Sequence, residues 1–152
     1  MHVPAKVEYA IQAAAELAAA YPGLVKAEQI ANAQQIPPKY LQNILTQLRN
    51  AGLVKSHRGG TEGGYQLARP ADQITLANII RAVDGPLTTV RGARPQSLQY
   101  PDPASHLLDV WIAARASLRR VLEHVTLAHL VAGTLPNTVR GLIDEPDAWI
   151  SH

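Results

Sequence analysis

Lys39, Gln42, Asn43, Thr46 and Arg49 recur at helical spacing, on the side of one segment opposite Leu41, Ile44, Leu45 and Leu48. Their types suit a nucleic acid. Gln and Asn present a paired donor and acceptor that match the edge of adenine, and Lys and Arg match guanine or phosphate. A second group follows. Arg58 precedes Gly59-Gly60, and after Thr61 and Glu62 come Gly63-Gly64. Glycines there let the backbone approach a phosphate or a narrow minor groove. Taken alone, the first group also fits an ordinary amphipathic helix with a solvated face.

Charge concentrates around these residues. The net charge is only +2. Yet between Pro38 and Arg69 stand Lys39, Arg49, Lys55, Arg58 and Arg69, against the single acid Glu62. The C-terminal residues Asp144, Glu145 and Asp147 carry the opposite sign. A positive field concentrated in one segment is what an anionic partner requires.

Other chemistries find less support. The chain has no cysteine, which removes disulfides, thiol nucleophiles, zinc fingers and cysteine-ligated iron–sulfur clusters. No Ser/His/Asp or paired-carboxylate arrangement stands at meaningful spacing. The glycines after Arg58 precede a strand, not the helix of a nucleotide-binding loop. His124 and His129 are too unevenly spaced to share one helix face, so no metal site is expected. An enzyme is not expected.

The elements that must position the two groups are legible. At 152 residues, with 47% hydrophobic and 17% charged, the chain can bury one core and is not disordered. Val3, Val7, Ala10, Ile11, Ala14, Leu17 and Ala18 predict a first helix, ended by Tyr21-Pro22-Gly23. A short helix over Lys26 to Ala33 and a turn at Gln34-Gln35-Ile36 follow. Pro37-Pro38 opens a third helix and Ala51-Gly52 closes it. Leu53 to Arg58 and Tyr65 to Ala68 read as a hairpin with a flexible glycine tip. Thr75 caps a helix over Leu76 to Val83. The stretch from Gly85 to Pro103 holds four prolines and no periodicity, a loop long enough to be functional or mobile. A long helix from about Pro103 to His124 carries the stripe Leu108, Trp111, Ile112, Leu118, Leu122, with Val125 just beyond. Thr126 to Ala132 forms a short helix, and the residues from Pro136 read as a weakly structured tail. No targeting segment is legible, and Val125 to Val139 is too short and too broken to cross a bilayer, so a cytoplasmic location is expected.

Two helices, a short turn and a polar-faced third helix with a following hairpin predict a mainly α winged helix-turn-helix. The stretch Leu53-Val54-Lys55-Ser56-His57-Arg58-Gly59, then Gly63-Gly64-Tyr65-Gln66-Leu67-Ala68-Arg69-Pro70, resembles the Rrf2 family of winged-helix transcription regulators. The resemblance extends through Tyr40-Leu41, Ile44-Leu45, Ile74-Thr75-Leu76, Ala82-Val83-Asp84-Gly85-Pro86 and Val125-Thr126-Leu127. It implies a homodimeric, sequence-specific regulator, with repression the expected sign, bound to a near-palindromic operator in double-stranded DNA. It implies DNA contacts from Lys39, Tyr40, Gln42, Asn43, Thr46, Ser56, His57, Arg58 and Thr61. The domains expected are 1–84 for DNA binding, 85–103 as an effector-type loop, 104–133 for dimerisation and 134–152 as a tail.

The chain also departs from the family pattern. Where many members ligate an iron–sulfur cluster through three loop cysteines, this loop carries Arg91, Arg94, Gln96, Ser97 and Tyr100. No cofactor is therefore expected. Between Arg58-Gly59 and Gly63-Gly64 lie three residues, where the family has two. A small-molecule effector pocket between the first helix, the loop and the long helix is expected from Glu8, Gln12, Trp111 and Arg115. The alternative reading is an adaptor that docks a partner enzyme on the same scaffold.

Overall fold

The computed structural model describes residues 2–152. The chain begins with α1 (Ala5–Ala20), α2 (Ala27–Gln34) and α3 (Pro38–Asn50). The strands β1 (Val54–His57) and β2 (Gly64–Leu67) pair antiparallel, Val54 opposite Leu67 and His57 opposite Gly64. Then come α4 (Leu76–Val83), the long α5 (Leu107–Leu122), α6 (Leu127–Ala132) and α7 (Asn137–Ile143).

Helix α1 is the hub, packing against α2, α3, α4, α6 and β2. Its buried positions Ala10, Ala13 and Ala14 have almost no side chain to hold neighbours away, while Val7 and Leu17 fill the gaps at either end. Ile30 of α2, the stripe Leu41, Ile44, Leu45 and Leu48 of α3, Leu53 and Val54, Leu67, Ile79 and Val83 complete the core. Each fully buried Leu or Ile contributes about 1.5–3 kcal/mol of transfer free energy. The turn between α2 and α3 begins with Gln35 in the left-handed region, φ 53°, and Pro38 sits in the first turn of α3, where its missing N–H costs nothing.

Helix α6 returns to this core although it follows α5. Its Leu127 is fully buried against it. Two backbone hydrogen bonds bind the two helix starts side by side: Leu76 N donates to Val125 O (2.9 Å) and Leu127 N to Ile74 O (2.9 Å). Each start carries its own capping box. Asn78 N donates to Thr75 Oγ1 and Thr75 N to Asn78 Oδ1. His129 N donates to Thr126 Oγ1 and Thr126 N to His129 Nδ1. His129 is thus a capping residue.

The structure corrects three expectations about the C-terminal half. The long helix is shorter than predicted, because Pro101 and Pro103 lie in a turn that delays its start to Leu107. The loop before it is folded. Arg91 and Gly92, both with positive φ, form a tight turn closed by Val90–Ala93 hydrogen bonds, and Pro95 and Leu98 are buried beside α5. The residues after Pro136 are not formless. They make α7, with Val139 buried, and Trp149 Nε1 donates to Ile143 O at 2.8 Å. Seven residues are too few for periodicity to announce a helix.

Helix α5 has no fully buried residue. One tie to the first core is ionic: Glu123 accepts from Arg81 of α4 and from Arg119 Nε of α5 (3.0 Å). The Arg119 and Arg81 hydrogen bonds hold its carboxyl well below the usual range, at about 2. A lowered carboxyl pKa adds stability above its ordinary value of 4.5, and the contribution is lost as pH falls toward 2. The partners are partly exposed, so the gain is of the surface-pair order, about 0.2–1 kcal/mol. Glu123→Gln is therefore expected to lower stability slightly at pH 7, with the gap from the parent closing between pH 5 and pH 2. Urea melts at stepped pH measure this; a gap that does not change with pH contradicts it.

Candidate nucleic-acid interface

Burial of the apolar stripe of α3 turns the opposite side outward. Lys39, Gln42, Asn43 and Arg49 are exposed. Thr46 is half-buried, and its hydroxyl donates to Gln42 O at 2.9 Å, so its donor is already committed. Tyr40 lies on the flank of the helix, 52% exposed, with its ring edge-on to Tyr9 of α1 at 6.0 Å between centroids.

The hairpin stands beside this face and is coupled to it. Gln42 Nε2 donates to Tyr65 Oη of β2 (3.2 Å). Arg49 Nη1 donates to Ser56 Oγ of β1 (3.4 Å). His57 and Gln66 pair ring nitrogen to amide across the strands at 2.8 Å. Gln42 keeps a second amide hydrogen and its carbonyl oxygen, the set a bidentate contact with adenine requires. Tyr65 therefore orients Gln42 without consuming it.

The base of the wing is a concavity lined by Lys26, His57, Arg58 and the four glycines Gly59, Gly60, Gly63 and Gly64. Arg58 and Thr61 are exposed, and Lys26 Nζ donates to Gly60 O (2.7 Å), which pins the tip. The tip that the sequence presents as flexible is a 3₁₀ turn, Gly60–Glu62. The wing is anchored to the segment before α2 by two backbone bonds, Val25 N to Tyr65 O and Tyr65 N to Val25 O, each 2.8 Å. Close approach makes this possible. A Cβ on Gly64 would lie 2.9 Å from Val25 O, and one on Gly63 would lie 2.8 Å from His57 O.

Sequence reasoning missed Lys26 and undervalued Tyr65. The Lys26 contact spans 34 residues, and no local pattern reports it. The effector set is not brought together as expected. Glu8 is exposed on the first turn of α1, and Gln12 is half-buried farther along it. Trp111 Nε1 donates to Tyr100 Oη at 3.1 Å, fastening the loop to α5. Arg115 lines a cleft whose other walls are Arg81, Gly85 to Thr88, Arg94 and Arg119, not Glu8, Gln12 or Trp111. Among the described residues no group of three His, Asp or Glu is placed to hold a metal ion, and no helix is long and apolar enough to cross a membrane.

A helix-turn-helix whose third helix is exposed beside an anchored hairpin defines the winged-helix class of DNA-binding proteins. Within that class the chain belongs to the Rrf2 family, described as iron-dependent transcriptional regulators, whose pattern matches residues 3–133. It is 49% identical over 146 residues to Rv1287 of Mycobacterium tuberculosis, a candidate HTH-type transcriptional regulator; the match covers 95% of this chain and 90% of that one. The solved structure of CymR, the global cysteine regulator of Bacillus subtilis, is similar with a TM-score of 0.75 at 34% identity, over 88% of this chain and 98% of that one. The structure of IscR from T. potens gives a TM-score of 0.71 at 34% identity, over 88% of each chain. The chain is thus a transcriptional regulator of a family of regulators, not enzymes. The iron in the family's description does not fit the donors present: the chain has no thiolate, and its loop offers guanidinium groups where ligands would stand.

Gly64→Ala is expected to push the hairpin off the Val25 segment. Amide hydrogen exchange at Val25 and Tyr65 should quicken while that of Ile44 and Leu45 stays slow. Unchanged protection at Val25 and Tyr65 would show that the wing does not depend on this close approach.

Proposed function

We propose that this protein is a homodimeric repressor that binds a near-palindromic operator. Helix α3 enters the major groove, and the wing sets Arg58 on the adjacent phosphates or minor groove. The observation that carries this is the coupled surface itself: Gln42, held by Tyr65, stands beside a wing base that presents Arg58 and Lys26 from a glycine-lined concavity. Lys39, Gln42 and Asn43 are the base-facing residues, with Ser56, His57 and Thr61 along the backbone track and Tyr40 at its edge; Thr46, its hydroxyl hydrogen committed to Gln42 O, has none for a phosphate. A compact dimer seated on promoter DNA excludes other proteins from the same grooves, which supports repression. Iron–sulfur sensing has no thiolate to rest on, so any signal reaches the protein by another route.

The long helix supports dimerisation, along a flank one step round from the stripe read in the sequence. Leu118 and Leu122 face their own domain, in a cavity shared with Val7 and Ile80. The outward flank is Val110, Ala114 and Ser117, all exposed, with Val121 half-buried at its end; they stand four, three and four residues apart, the seam spacing of two paired helices. Val110 is 55% exposed in the single chain. Two copies joined there would place two α3 helices on a two-fold axis, for half-sites about 34–36 Å apart.

Selection of binding sites from random duplex DNA tests the reading, and recovery of no shared near-palindrome would contradict it. Against the selected site, Arg58→Ala should weaken affinity by about tenfold or more. Gln42→Ala and Asn43→Ala should instead relax base preference, by about 1–3 kcal/mol per bidentate contact, while leaving non-specific binding nearly intact. Val110→Asp, a change at an exposed site that leaves the fold intact, should give monomers by light scattering. A normal dimer would place the interface elsewhere.

A further inference from the structure

We propose that the cleft between the end of α4, the loop after it and the second half of α5 binds a small polyanion, one with two or more phosphate or carboxylate groups. Four guanidinium groups line it: Arg81 from α4, Arg94 from the loop, and Arg115 and Arg119 from successive turns of α5. Among the described residues, Glu123 is the acid paired with them, through Arg81 and Arg119. Arg94 and Arg115 make no ion pair among the described residues. The cleft measures about 360 Å³, within the usual range for small-molecule sites of about 300–1,000 Å³.

A second feature borders the same space. Thr88 lines the cleft, and its hydroxyl oxygen is buried with no hydrogen-bond partner. A buried hydroxyl without a partner costs free energy, and a turn of the side chain toward the cleft would let an acceptor oxygen on a bound anion satisfy it. The remaining wall is Gly85, Pro86 and Leu87. Four like charges converging on one concave space repel one another. A single negative group can engage Arg94 and Arg115 through two-pronged contacts, but leaves Arg81 and Arg119 to Glu123. A ligand with a second negative group reaches those two as well and competes with Glu123 for them. The competition falls at an ionic tie between the α4 end of the DNA-binding unit and the long helix. For its effect on DNA this inference rests on the regulator reading; the binding itself does not.

Calorimetric titration of the whole protein with inorganic pyrophosphate and, separately, citrate tests the site, with acetate at matched ionic strength as the control. Saturable binding of one or both polyanions at one per chain is expected, and the pair of probes distinguishes phosphate from carboxylate chemistry. Arg94→Gln with Arg115→Gln should weaken binding by about tenfold or more, and Thr88→Val less. Arg140→Gln, on α7, should bind like the parent. Should the double variant fold poorly by circular dichroism, Arg115→Lys serves in its place: it keeps the charge and loses the fork, and it should still bind less tightly. The proposal is overturned if neither polyanion shows saturable heat at millimolar concentration. It is equally overturned if the variants bind as the parent does, or if Arg140→Gln loses as much as the double variant. It also fails if the double variant loses DNA affinity without any anion by the margin of Arg58→Ala, because the cluster is then part of the DNA surface. Failure of the parent to select any DNA would sink the regulator reading while leaving the calorimetry to stand.

Discussion

Everything that α3 does depends on how tightly one side of it is buried. Leu41, Ile44, Leu45 and Leu48 are inaccessible to solvent, locked against α1 across a surface that Ala10, Ala13 and Ala14 keep thin. A helix so held has one rotation about its axis. That rotation aims Lys39, Gln42 and Asn43 outward together and brings Gln42 within reach of Tyr65. The hairpin then has a fixed partner, and its second anchor, the Val25–Tyr65 bridge, closes a loop of contacts running from α3 through the wing to the start of α2. Reading a groove demands this stiffness, since a bidentate base contact loses its value if the amide can swing away.

The same core defines what the long helix is free to do. The returning α6 is sealed in by Leu127 and by the pairing of Thr75 with Thr126. Helix α5 lies between two fixed points, α4 before it and α6 after it, yet buries no residue completely. Its inward positions pack on the loop and on α4, while Val110, Ala114 and Ser117 on its outer flank stay exposed in one chain. The arginines at Arg81 and Arg119 share one carboxylate at this junction. A change in orientation between the long helix and the DNA-binding unit must pass through that contact.

Much of this was legible in the residues. The 3.6-residue recurrence of Leu41, Ile44, Leu45 and Leu48 announced α3 and its outward face, Thr75 announced the start of α4, and the glycine-flanked Arg58 announced the wing. Three things were not legible, each for a physical reason. The docking of Lys26 on Gly60 and of Tyr65 on Gln42 joins residues far apart in sequence, where periodicity carries no information. The folding of the 85–103 loop comes from proline and left-handed turn geometry, which leaves no repeating pattern. And Arg115, grouped in the sequence with Glu8, Gln12 and Trp111, finds its actual neighbours only when Arg81 and Arg94 arrive from other elements.

The central claim is that α3 and the wing form a single DNA-reading surface. Backbone chemical-shift mapping of the protein with and without its selected duplex tests it most directly. The account predicts that the largest changes fall together on residues 39–49 and 56–62, with Val25 and Tyr65 shifting as the anchor takes load. Changes confined to α5 through α7, or shifts on α3 with none on the wing, would contradict it.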